Sequence, residues 1–216
     1  MSDGERASRV WRHRERIERE AAMLFGQLGA TLVEAGHPQL ATRAFTAAAD
    51  EHRHAERCRA LVIALAGATV PPADAPRTLE LGPGHLALRD RALYAAVAMG
   101  CVTESLSCAL LLELRAAATH PLVVATVTEI LRDEIEHARI GWAVLAAEAR
   151  MRDVTWLRPL VPAMAAAAVA EDVTPMAGDD ALAGLGILPR GRVRALVAQT
   201  WATVIAPGLA HHGLRV

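Results

Sequence analysis

The chain has 216 residues, enough for one large domain or one domain with an extension, and its 53% hydrophobic content can supply a sizeable core. Aromatics make up only 3% while Ala and Leu dominate, which favours helices over strands. A formal net charge of −1 excludes a general attraction to nucleic acid or to anionic lipid.

The N-terminus carries Arg6, Arg9, Arg12, Arg14 and Glu15 with no apolar segment behind a basic start, so no secretory signal is expected. Three cysteines without a Cys-x-x-Cys pair point to a reducing, cytoplasmic setting and not to a disulfide framework. Helix 1 is predicted over residues 8–35, where Ile17, Ala21, Leu24, Phe25, Leu28 and Leu32 follow helical spacing. Gly36 suits a C-terminal cap, and Pro38 suits the first turn of a second helix running to about residue 67. Residues 68–84 hold Pro71, Pro72, Pro76 and Pro83 with Gly82 and Gly84; they cannot be helical and are long enough to cross a bundle.

Helix 3 is predicted over residues 85–118, and His120-Pro121 opens helix 4, which runs to about residue 151. The apolar run at residues 92–112 has the length of a membrane span, but it contains Glu104, so no membrane role is expected. Two hairpins joined by one long crossover is the connectivity of a ferritin-like four-helix bundle. The expected fold is therefore all-α, with the bundle at residues 8–151 and a helical extension at 152–216 packed on it. That extension should hold a helix at 160–170, a loop with Pro175, Gly178, Gly184 and Gly186, and a last helix at 190–211 bent near Pro207.

A pentapeptide pattern occurs twice: Asp50-Glu51-His52-Arg53-His54 and Asp133-Glu134-Ile135-Glu136-His137 share Asp-Glu-x-x-His, 83 residues apart. A His-Pro pair, His37-Pro38 and His120-Pro121, precedes each copy at the same distance, which indicates a duplicated hairpin. Positions i and i+3 share a helix face, so each copy aims a carboxylate and an imidazole at one point. Two such pairs facing each other supply most of a dinuclear metal site: Glu51, His54, Glu134 and His137.

Helix 3 offers Glu104, the only acidic residue between Asp90 and Glu113; burying it unpaired would be costly, and a metal removes that cost. Helix 1 offers Glu15, Glu18 and Glu20. Glu104 maps through the repeat onto Ala21, whose face Glu18 shares, so Glu18 is favoured and Glu20 is the alternate. Mixed carboxylate and imidazole ligation suits iron or manganese. Asp50 and Asp133 are placed to accept the free N–H of a ligand histidine from the other hairpin.

This ligand set, Glu18, Glu51-x-x-His54, Glu104 and Glu134-x-x-His137, resembles the ferritin-like diiron carboxylate proteins over about residues 14–151. Cys101-Val102-Thr103-Glu104 and Asp133-Glu134-x-x-His137-Ala138 are similar to motifs of bacterial ferritin-like domain proteins. Glu136 departs from the arginine usual there, which puts a salt bridge from that position in doubt.

The resemblance implies two iron ions, with manganese–iron as the alternative, and an oxidase or oxygenase that activates dioxygen for a small organic substrate. An external electron donor is then required, because the chain has no flavin, NAD or iron–sulfur motif. The alternatives are ferroxidase or iron-handling activity and a metal-free scaffold. The apolar extension is expected to cover the mouth of the site or to form a homodimer face. Cys58, Cys101 and Cys108 share the metal-facing sides of their helices, as small buried hydrophobes or as the lining of a cavity. His52 should face solvent, and His37 and His120 should belong to the interhelical turns.

Overall fold

The computed structural model describes residues 1–67, 70–71 and 73–215. Ala68, Thr69 and Pro72 of the expected crossover, and Val216, lie outside the described residues. Among those described, the chain is helical with no strand; Gly178 and Pro189 form one isolated bridge.

The first long helix, α1, spans Asp3–Glu34. It starts earlier than the periodicity suggests because Ser2 and Glu5 form a capping box: the Glu5 amide donates to Ser2 Oγ at 3.2 Å, and the Ser2 amide donates to Glu5 Oε2 at 2.6 Å. Helix α2 spans Pro38–Ala66 and stops at Gly67, whose φ of 65° is left-handed. Helix α3 spans Leu88–Ala117, slightly shorter than expected, and α4 spans Pro121–Met151 as its pattern predicts. Pro38 and Pro121 sit in the first turns, where no N–H is needed.

Three facts fix how these helices run. Short turns make α1 antiparallel to α2 and α3 antiparallel to α4. Across the hairpins, His54 meets Asp133 while His137 meets Asp50, so α2 and α4 are antiparallel as well. It follows that α2 and α3 run the same way, and a connection the length of the helices must join them. That connection climbs α1: Asp74 pairs with Arg12, Arg77 with Glu20, and the Leu79 carbonyl accepts from Gln27. The apolar α3 has the length and composition of a membrane span, yet 61% of its most apolar window is buried inside the protein.

Within α3, residues Val97–Thr103 adopt π-helix geometry. The Glu104 amide donates to the Met99 carbonyl, five residues back, and Thr103 Oγ1 donates to the Ala98 carbonyl at 3.1 Å. This wide turn lies where α3 and α4 approach most closely. A Cβ on Gly100 would sit 2.6 Å from the Gly141 backbone, and one on Gly141 would sit 2.4 Å from the Ala96 carbonyl oxygen. Only glycine on both helices permits that contact.

The extension is built from short pieces. A 3₁₀ turn at Thr155–Leu160 leads into α5 at Val161–Ala168, which ends in a π turn at Val169–Val173. The expected helix at 160–170 is thus shorter and followed by a distorted turn. Two further 3₁₀ turns, Thr174–Met176 and Asp180–Leu185, precede α6 at Arg190–Thr200. The expected last helix at 190–211 is divided: a π turn at Trp201–Ile205 separates α6 from α7 at Ala206–His211. Pro207 explains the division, because it has no N–H to give and its ring presses on the carbonyl of the preceding turn. Leu157, Val161, Met164, Ala168, Val173, Met176, Ile205 and Leu209 join the same continuous core as the bundle. Trp11 Nε1 donates to the Leu185 carbonyl at 2.9 Å, fastening the extension to α1.

Candidate metal centre

Glu18 on α1, Glu51 and His54 on α2, Glu104 on α3, and Glu134 and His137 on α4 are all buried, none more than 5% exposed. Ligand atoms of Glu18, Glu51, His54 and Glu134 lie within 4.8 Å of one another. His137 joins from the side: its Nδ1 is 2.9 Å from Glu51 Oε1 and 3.1 Å from Glu134 Oε2. Glu104 meets Glu134. His54 Nδ1 lies 3.1 Å from Glu51 Oε2, so the Glu51 carboxylate sits between both imidazoles. Among the four helices the sequence-predicted set therefore converges. Glu20 does not take part; it pairs with Arg16 and Arg77.

The far ring nitrogens are held by the predicted aspartates. His54 Nε2 is 3.2 Å from Asp133 Oδ2, and His137 Nε2 is 3.4 Å from Asp50 Oδ2. Each hairpin's aspartate thus orients the other hairpin's histidine, leaving Nδ1 aimed inward. Arg53 serves both copies, bonding Asp133 at 2.6 Å and Asp50 at 2.9 Å. Its counterpart Glu136 instead pairs at the surface with Arg139 and Arg43, so the second copy supplies no such bridge.

Sequence reasoning missed Arg14. It is 6% exposed, and its Nε donates to Glu18 Oε1 at 2.5 Å. Its Nη2 donates to Glu134 Oε1 and to Ser107 Oγ, both at 3.1 Å. Ser107 Oγ in turn donates to Glu134 Oε1 at 3.2 Å. Arg14 was legible as a residue four before Glu18, but nothing in its own segment distinguishes it from the less buried arginines around it, Arg9, Arg12, Arg16 and Arg19.

The charges do not balance. Four buried carboxylates face one guanidinium and two imidazoles. Burial pushes Glu18 up to about 8, with Glu51 and Glu134 adding to the shift against Arg14. Glu104 is raised well above the carboxylate range by burial and by Glu134 and Glu51. Burial works against a charged His54, yet Glu51 and the other carboxylates hold it up at about 9; His137 is held at about 12 by Glu134 and Glu51. Glu51 moves the other way: burial opposes ionisation, but His137 and His54 keep it well below its ordinary value. Even so, Glu51 Oε1 accepts no well-aligned hydrogen bond. A buried carboxylate oxygen whose only near neighbour, His137 Nδ1 at 2.9 Å, is poorly aligned, with further oxygen and nitrogen groups converging on it, is compatible with a metal ion.

A cavity of about 220 Å³ opens from this cluster. Its walls are α1, the π segment of α3 and the extension, with Ala21, Leu24, Met99, Leu110, Met164 and Val173 among them. The exposed Arg77 and Glu171 mark its outer end, and the extension forms one wall of the space beside the cluster. Tyr94 lines it; Cys58, Cys101 and Cys108 do not, and burial raises all three thiols. They are packing residues here. His52 is exposed, and His37 reaches from its turn to Glu148.

The sequence matches no model of a known protein family and no curated protein.

Proposed function

We propose that this chain is a ferritin-like dinuclear metal protein that activates dioxygen, as an oxidase or oxygenase of a small organic substrate bound in the adjoining cavity. The reading rests on one observation above others: a buried surplus of carboxylates, with Glu51 Oε1 lacking an aligned donor, around inward-facing imidazoles. Glu18, Glu51, His54, Glu104, Glu134 and His137 would hold the metals. Two iron ions, or manganese with iron, would supply Lewis acidity and electrons for dioxygen.

The residues themselves do the positioning. Asp50 and Asp133 accept from the Nε2 atoms and so keep the Nδ1 lone pairs pointing inward. Arg14 and Ser107 fix the rotamers of Glu18 and Glu134. The apolar walls exclude water from the space beside the cluster, which strengthens every polar interaction in it. An external electron donor completes the reading.

Arg14 favours a second reading, a metal-free polar core in which the guanidinium alone compensates Glu18 and Glu134. Anaerobic reconstitution of the full chain with ferrous iron, followed by removal of excess, separates the two. Two irons per chain are expected, with a clear loss in Glu104→Ala. No retained iron would establish the metal-free core. A monomeric or dimeric native mass is expected; a large shell would favour iron storage with the same ligands.

A further inference from the structure

We propose that the cavity beside the metal centre takes a small organic amine, its hydrocarbon body against the apolar walls and its ammonium group paired with Asp172. This deepens the oxidase reading by naming the substrate class. Asp172 lies in the π turn that ends α5 and lines the cavity. It makes no hydrogen bond or ion pair among the described residues, and its neighbours Glu171, Arg77, Glu20 and Arg14 act on it only through their charges. The neighbouring Arg77 is committed elsewhere: it donates to both carboxylate oxygens of Glu20 and also bonds Glu171. Asp172 is thus a carboxylate in a confined space with no counter-ion of its own, and burial together with Glu171 lifts it to about 6. A bound cation relieves that cost.

The walls decide which cation. Leu24, Met99, Leu110, Met164 and Val173 give the space an apolar flank that suits a hydrocarbon chain or ring, which a hydrated metal ion would leave unused. The volume of about 220 Å³ limits the guest to a small molecule. Anionic substrates are disfavoured, because Glu20, Glu171, Asp172 and the glutamates of the cluster outnumber Arg14 and Arg77 around the same space. Two of the walls, Val97–Thr103 and Val169–Val173, depart from α geometry into π turns, a rare distortion that recurs at functional sites.

The test uses the full chain, metal-free and iron-loaded, and titrates three probes of similar shape by calorimetry: phenethylamine, 2-phenylethanol and phenylacetate. Phenethylamine is expected to bind at least about tenfold more tightly than the alcohol, and phenylacetate most weakly. Asp172→Asn, nearly identical in shape, should erase the amine's advantage and leave the alcohol's affinity unchanged. Equal affinities for amine and alcohol, no binding of any probe, or an amine preference that survives Asp172→Asn would each overturn the proposal. So would a variant that slows ferrous loading while keeping the amine preference, since Asp172 would then guide metal entry. Iron content is measured separately: a chain that prefers the amine through Asp172 but retains no iron refutes the metal reading alone.

Discussion

Glu148 and Glu104 are both buried carboxylates on neighbouring helices of one bundle, and their surroundings push them in opposite directions. Glu148, on α4 near the end of the bundle, is 2% exposed, and burial alone would raise its pKa. His37 at 2.6 Å, Arg89 at 2.9 and 3.0 Å, and Arg152 overrule burial and hold it below its ordinary value. Arg152 also bonds Asp90, so this network ties the α1–α2 turn to both ends of the second hairpin. Glu104 has no arginine bonded to it among the described residues; burial, Glu134 and Glu51 drive it up and outweigh the opposing charge of His137. Burial of a carboxylate is therefore no sign of a metal. The sign of the charge around it is what separates a structural clasp from a site that lacks a cation.

The contrast can be broken most forcefully at Glu51. Glu51→Gln should weaken divalent metal binding by at least about 100-fold, beyond the range typical of outer partners of a metal site. It should also lower the Tm of the metal-free chain, because Glu51 is the carboxylate that both imidazoles share; metal titration and thermal melts check both. Asp133→Asn should cost about 10- to 100-fold in metal affinity, since the amide no longer accepts the His54 Nε2 proton as a charge.

Arg14→Met should act with the opposite sign. Divalent affinity should tighten by about tenfold, because a positive charge beside Glu18 and Glu134 is gone. The metal-free protein should lose about 3 kcal/mol, as expected when one member of a buried ion pair is removed. The gap in Tm between loaded and metal-free protein would therefore widen. At the clasp, Glu148→Gln should lower Tm while leaving metal stoichiometry untouched. If metal content fell with it, the two networks would not be independent.

Much of the centre was legible because its information is local. Asp-Glu-x-x-His places a carboxylate and an imidazole on one helical face, and repeating it puts two such faces in register. The crossed pairs His54–Asp133 and His137–Asp50 follow once α2 and α4 are antiparallel. Glu18 over Glu20 followed from the phase of the buried stripe: Glu20 lies one residue round the helix and meets Arg16 and Arg77. The capping box at Ser2 and Glu5 was also present as a sequence signal, although the apolar period alone starts α1 later.

The π turns were not legible. Residues suited to an α-helix suit a π turn equally, and the choice at Val97–Thr103 accompanies the close approach of Gly100 and Gly141, 41 positions apart. Nor was the course of the extension, whose short pieces take their place from the core they share with the bundle.

The sequence by itself determined the helices, their pairing into hairpins and the faces that carry the glutamates and histidines, because helical periodicity and turn chemistry act over a few residues. Tertiary structure alone decided the charge balance and the cavity. Arg14 reaches Glu134 across 120 positions, Arg77 reaches Glu171 across 94, and Asp172 is left facing a cavity shared by three segments. Coulomb energy sums over every charge nearby in space, whatever its separation along the chain.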